Sequence, residues 1–155
     1  MILFNNLKKG NILVNARSKE PITLFNKLLN LAVKNGEIQS GNLEELKSAL
    51  TAREKSMTTG IGKGLAIPHC VSPKVKTPVI MLATINEGMN FAAIDDKPVY
   101  VVVLLLFPES KMSSHVKALA EIAQIMRDNE LIKKLLALKT PDGILKAIKS
   151  YNNDE

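Results

Sequence analysis

The ten residues "PVYVVVLLLF" at 98–107 carry no charge, and only the Tyr100 hydroxyl is polar on a side chain. The run is well short of the roughly 18–20 residues of a membrane helix and has the length of a strand. A second run, "PVIMLATI" at 78–85, has the same character. Neither alternates apolar with polar, so each predicts a strand covered on both faces. That constrains the chain strongly, because helical layers must be available above and below the strands.

Such helices are legible. "PITLFNKLLNLAVKNG" has Pro21 in its first turn and Gly36 just past its end, with Leu24, Leu28, Leu31 and Ala32 on one face. "GNLEELKSALTARE" offers Asn42 as a cap, Glu45 three residues on, and a stripe of Leu43, Leu46 and Leu50. Arg53 then falls near the C-terminal end of this second helix. After Pro108, Val116, Leu119, Ala120, Ala123 and Met126 recur at helical spacing; Ser113 suits the cap, which puts His115 in the first turn. "ELIKKLLALK" and "TPDGILKAIKSY" predict two more short helices, and "ILV" at 12–14 a short first strand. The expected class is α/β: a single layered domain over 1–155, with a mixed β-sheet flanked by helices on both faces.

Composition narrows the function. The absence of Trp and only six Phe and Tyr residues make the core aliphatic. Cys70 is the one cysteine, so no internal disulfide forms. The N-terminal "MILFNNLKKGNILVN" lacks the pattern of a secretion signal. These features point to the cytoplasm, without direct membrane insertion. The net charge of +6 invites a nucleic-acid reading, but Lys and Arg are dispersed. The densest cluster, "KKLLALK", has the spacing of a solvated helix face, so no nucleic-acid partner is expected.

Chemistry concentrates at "TTGIGKGLAIPHC", residues 58–70. Gly62-Lys63 is followed by Gly64 rather than Ser or Thr, which breaks the nucleotide P-loop pattern. The run follows a helix and ends at Pro68, which excludes a dinucleotide fingerprint. Taken alone it is a flexible glycine turn. His69 closes it. Such a histidine serves equally as an ordinary surface or core residue. No metal-ligand pattern joins His69, Cys70 and His115, and no cofactor is called for. Adjacent Cys70 and His69 do not suit a thiol–imidazole pair drawn from separate elements. A histidine that is itself the nucleophile remains.

"ARE" at 52–54, "TGIGKGLAIPH" at 59–69, "FAAIDDKPVYVVVLLLFPE" at 91–109 and "HVKALAEIAQIMRD" at 115–128 resemble the type 2 IIA domain of the bacterial phosphoenolpyruvate-dependent sugar phosphotransferase system, of the fructose–mannitol–nitrogen branch. The resemblance covers almost the whole chain. It implies a phosphoryl carrier with a phosphohistidine intermediate. His69 would take the group from the small carrier HPr and pass it to a IIB domain or hold it as a signal. The family's active histidine falls on His69, its phosphate-site arginine on Arg53 and its second histidine on His115. Nε2 is the nitrogen the family suggests.

Elementary chemistry agrees. Neutral imidazole is a competent nucleophile near pH 7, with an unperturbed pKa of about 6.5. Phosphoryl transfer needs in-line placement and charge stabilisation more than covalent machinery. Arg53 supplies a permanent cation with a planar fork of donors, although an arginine at a helix end also serves the dipole alone. His115 near a helix N-terminus would stay neutral and donate one hydrogen bond, or be a structural first-turn residue. The glycines would bring backbone N–H groups to the phosphate, and Thr59 or Thr58 would add a hydroxyl. An exposed apolar rim around His69 is expected at the docking face.

The chain departs from the family at three points. Cys70 stands where glycine is usual, Ala92 where an acid is frequent, and Lys63 where a polar uncharged residue is common. Lys63 would strengthen anion attraction. Cys70 is either an inert buried thiol or a redox-sensitive neighbour of the site. An alternative function is a stand-alone nitrogen-type regulatory module that binds protein partners according to its phosphorylation state; the lack of an attached IIB or membrane domain favours it.

Overall fold

The structure is a computed structural model and describes residues 2–153. In chain order the elements are α1 (Ile2–Asn6), β1 (Ile12–Leu13), α2 (Pro21–Lys34), α3 (Leu43–Ser56), β2 (Gly60–Gly62), β3 (Leu65–Ala66), β4 (His69–Ser72), β5 (Val79–Met89), β6 (Val99–Pro108), α4 (Met112–Met126), α5 (Asn129–Ala137) and α6 (Pro141–Asn153). The strands form one mixed sheet in the order β1-β5-β6-β3-β2, and β4 also pairs with β6 beyond the end of β3. β5 and β6 are antiparallel; β1 runs parallel to β5, and β3 and β4 run parallel to β6.

The two apolar runs are the central strands, and their continuity has a simple cause. Val102, Leu104 and Leu106 of β6 and Met81, Ala83 and Ile85 of β5 enter one core with α2 and α3. Val101, Val103, Leu105 and Phe107 of β6, with Ile80 and Leu82 of β5, enter a second core with α4, α5 and α6. Successive side chains point to opposite faces, and both faces are dry. Each aliphatic side chain so buried contributes about 1.5–3 kcal/mol. The expected α/β layering, with helices on both faces of a mixed sheet, is what the chain forms.

Local details differ from expectation. Asn42 makes no capping hydrogen bond and has helical dihedrals, because a 3-10 turn at Ser40–Asn42 feeds directly into α3. Helix α4 begins at Met112, so Ser113 lies inside the first turn rather than at the cap. The buried face of α4 carries Ala118, Ile122, Ile125 and Met126, while Val116 and Ala120 face outward. In α2, Leu24, Leu28 and Ala32 are fully buried, together with Phe25 and Leu29. Gly36 takes φ +74 just past the helix end, the left-handed turn that glycine permits. The glycine-rich stretch is not a loop. It is a β2–β3 hairpin followed by β4, three pieces too short to show a strand period.

Candidate active site

His69 opens β4 and pairs with Leu105 of β6. It follows Pro68, whose carbonyl accepts the Leu105 N–H at 2.9 Å and so keeps this stretch bound to the sheet. Strand alternation gives the two neighbours opposite fates. Cys70 joins the core beneath α2 and α3, whereas Ile67 and Val71 lie with the α4 side. His69 shares that side by period and is half-buried.

The ring of His69 is oriented by one bond. Nδ1 lies 2.8 Å from the Ile67 carbonyl oxygen. A carbonyl only accepts, so Nδ1 carries the proton and donates it. The lone pair is left on Nε2.

Two further elements bring charge to this ring. Arg53, in the last turn of α3, donates from Nη1 to the Met57 carbonyl at 2.8 Å, its own helix end. His115, in the first turn of α4, is 9% exposed and rests against Phe107, with ring centroids 5.1 Å apart. Its Nδ1 is buried without a hydrogen-bond partner. Arg53, His115 and Glu54 all lie close enough to bear on His69 electrostatically. The structure thus gathers three of the four expected site residues, His69, Arg53 and His115, from three separate elements.

The balance of these influences holds the His69 pKa below its ordinary 6.5. Burial is the largest cause; the Ile67 hydrogen bond opposes it; Arg53 and His115 lower it further, and Glu54 raises it. The ring therefore stays uncharged to a lower pH than a free histidine. Two outcomes follow with one sign. The unfolded chain takes up this proton near its ordinary pKa, before the folded ring does. This group's contribution to unfolding free energy is therefore flat above that range. It declines as pH falls through the lower folded value. Nucleophilic reactivity at His69 is lost through the same folded value. A titration of the His69 ring by NMR gives a midpoint below 6.5; a midpoint at or above 6.5 contradicts this electrostatic picture.

The fourth expected residue is placed otherwise. Thr59 is 3% exposed, and its hydroxyl donates to Oε1 of Glu54. Its N–H donates to Oε2 of the same carboxylate at 2.8 Å. Thr59 therefore has no hydroxyl proton to offer a phosphate in this arrangement. Thr58 is similarly engaged, donating to the Phe91 carbonyl at 2.7 Å.

The glycines also serve a different purpose from the one expected. Gly62, Lys63 and Gly64 all have positive φ, +95, +56 and +81; Gly62 ends β2, and Lys63 and Gly64 form the turn to β3. Leu65 pairs at Val101 and His69 at Leu105. The turn therefore lies more than about 13 Å along the sheet from His69. Neither these glycines nor Lys63 reaches the ring. Gly60 has a packing role: a Cβ there would lie 2.8 Å from the Ala93 Cβ.

Glu54 was not singled out from the sequence. Its signal was present, since an acid in the last turn of a helix opposes the dipole and calls for a local partner. Exposed apolar side chains occur on the elements that carry Arg53 and His115: Met57 just past α3 is 68% exposed, and Val116 next to His115 is 63% exposed. Cys70 is buried, and burial pushes its thiol up to about 12. It is the inert alternative of the two considered. In the native protein at pH 8 a disulfide reagent should modify it at least roughly 10²-fold more slowly than in denaturant. Equal rates would show the thiol to be accessible. Among the described residues no group of His, Cys, Asp and Glu is placed to hold a metal ion, and no helix is long and apolar enough to cross a membrane.

Comparison with known proteins places the chain in a family. Residues 5–151 match "Phosphoenolpyruvate-dependent sugar phosphotransferase system, EIIA 2". A nitrogen regulatory protein of Bradyrhizobium diazoefficiens is 38% identical over 117 residues, which cover 76% of this chain and 76% of that protein. The nitrogen regulatory protein IIA-Ntr of Neisseria meningitidis has the same fold, with TM-score 0.84 at 24% identity over 96% of this chain and 99% of that one. So does a structure of the Escherichia coli complex between enzyme IIAMTL and phosphorylated enzyme IIBMTL, with TM-score 0.77 at 18% identity over 94% of this chain and 98% of the other. The chain belongs to the EIIA 2 family of the phosphoenolpyruvate-dependent sugar phosphotransferase system, and is a phosphotransfer component of that kind.

Proposed function

We infer that this protein carries a phosphoryl group on Nε2 of His69, received from a phosphohistidine on an HPr-type carrier. The observation that carries the reading is the 2.8 Å bond from Nδ1 to the Ile67 carbonyl, which leaves the Nε2 lone pair as the nucleophile. In the transfer that lone pair forms a bond to phosphorus. The donor's N–P bond breaks, and its electron pair returns to the donor ring. Arg53 meets the negative charge of the phosphoryl oxygens, turning from the Met57 carbonyl to do so. His115 adds a donor. Nδ1 of His69 keeps its proton throughout. The phosphorylated ring is then imidazolium-like, which keeps the new N–P bond ready for the next transfer.

The onward acceptor is a IIB domain or a regulated protein. The fold shared with the IIAMTL partner of phosphorylated IIBMTL supports the first. The 38% identity to a nitrogen regulatory protein favours the second, a switch read by protein partners. Both exchanges belong in the cytoplasm, without a cofactor. Incubation with phosphoenolpyruvate, enzyme I and HPr should place acid-labile, base-stable phosphate on the chain. Phosphate that survives acid, or none, contradicts the carrier reading. To separate the two acceptors, partners captured by phosphorylated protein are compared with those captured by the His69→Ala variant. A set that depends on phosphorylation supports the switch, and an identical set counts against it.

A further inference from the structure

The Nδ1 bond of His69 is the last of a continuous series. The Glu54 carboxylate accepts two bonds from Thr59, one from its N–H and one from its hydroxyl. The Thr59 carbonyl accepts the Ile67 N–H at 3.0 Å. The Ile67 carbonyl accepts the His69 Nδ1–H at 2.8 Å. Thr59 and Ile67 are 3% and 4% exposed, so water cannot replace either one readily. The series starts on α3, one residue beyond Arg53, and ends on the ring on which Arg53 bears electrostatically.

We propose that Glu54 and Thr59 are positioning residues: through Ile67 they fix the tautomer and the orientation of His69, and they tie its ring to the helix that carries Arg53. This rests on the carrier reading for its effect on transfer, but the geometry it claims for the ring is independent of it. The two-point grip is exacting. A carboxylate that takes both donors of one residue fixes that residue's rotation as well as its distance. The chain supplies the same kind of outer support that carboxylates and carbonyls give to histidines in metal sites. It also explains an acid at a helix C-terminus, where the dipole alone disfavours it.

Three variants test it: Thr59→Val, which keeps shape and backbone bonds but removes the hydroxyl; Thr59→Ser, which restores the hydroxyl; and Glu54→Gln, which keeps size and leaves one end of the grip a donor. Two readouts apply. The first is the pair of ring nitrogen shifts of His69, which report the tautomer whether or not the protein is ever phosphorylated. Wild type and Thr59→Ser should show one tautomer with the proton on Nδ1, and Thr59→Val and Glu54→Gln a mixture. The second is transfer from phosphorylated HPr. Thr59→Val should lower kcat ~10–100-fold with KM within about twofold of wild type, and serine should restore most of it. Wild-type nitrogen shifts in both Thr59→Val and Glu54→Gln would overturn the proposal, as would a loss in valine that serine does not rescue. If wild type accepts no phosphoryl group, the carrier reading fails, and the nitrogen shifts alone still decide whether the series governs the ring.

Discussion

His69→Ala should take no phosphoryl group from phosphorylated HPr while keeping its fold. The variant removes the nucleophile itself, so the expected loss is the full signal, not a fraction of it. The fold should survive because the ring is half-buried at the start of an edge strand and outside both apolar cores. The side-chain hydrogen bond to the Ile67 carbonyl is worth about 1 kcal/mol. The only other histidine, His115, cannot take over, because it is 9% exposed and packed against Phe107. Radiolabel transfer and thermal unfolding, measured on the same sample, check both halves. Full labelling of this variant would move the acceptor elsewhere in the chain.

Arg53→Ala should slow transfer by ~10²–10³, the second largest effect expected. Arg53 lies outside both cores, on the last turn of α3, and among the described residues its side chain bonds the Met57 carbonyl alone. Losing that contact at the helix end costs ~0.3–1 kcal/mol, too little to unfold a domain with two dry cores. The kinetic cost is larger because, among the described residues, Arg53 is the only lysine or arginine that bears on His69. The charge met in the transition state is therefore left without a counter-ion. Arg53 also lowers the His69 pKa, so the alanine variant should lose activity at a slightly higher pH than wild type. Arg53→Lys should recover only part of the rate, since an ammonium lacks the planar fork. A wild-type rate for Arg53→Ala would remove Arg53 from the site.

What the sequence revealed, and what it hid, follows from the length over which each signal accumulates. Strands β5 and β6 were legible because the sustained apolar runs at 78–85 and 98–107 admit few explanations. Helix α2 was legible because Pro21 and Gly36 bracket it. The strand carrying His69 was hidden, because β2, β3 and β4 span three, two and four residues and are broken by a turn and a proline. Without that strand no register could be assigned, and the glycines looked close to His69 when the sheet in fact separates them. Arg53 and His115 were reachable only through the family resemblance, since no spacing rule links residues on separate helices. Thr59 was chosen for its hydroxyl, but which group a hydroxyl meets is a tertiary fact. Val116, Leu119, Ala120, Ala123 and Met126 recur at helical spacing, but the packed face of α4 is the one through Ala118 and Ile122, which leaves Val116 exposed.

The central claim is that Nε2 of His69 accepts the phosphoryl group while Nδ1 remains bound to the Ile67 carbonyl. Nitrogen NMR of the phosphorylated protein, reading one-bond coupling between phosphorus and nitrogen, tests it directly. Phosphorus should couple to Nε2 of His69, with Nδ1 still carrying its proton. Coupling to Nδ1 of His69, or to either nitrogen of His115, would contradict it.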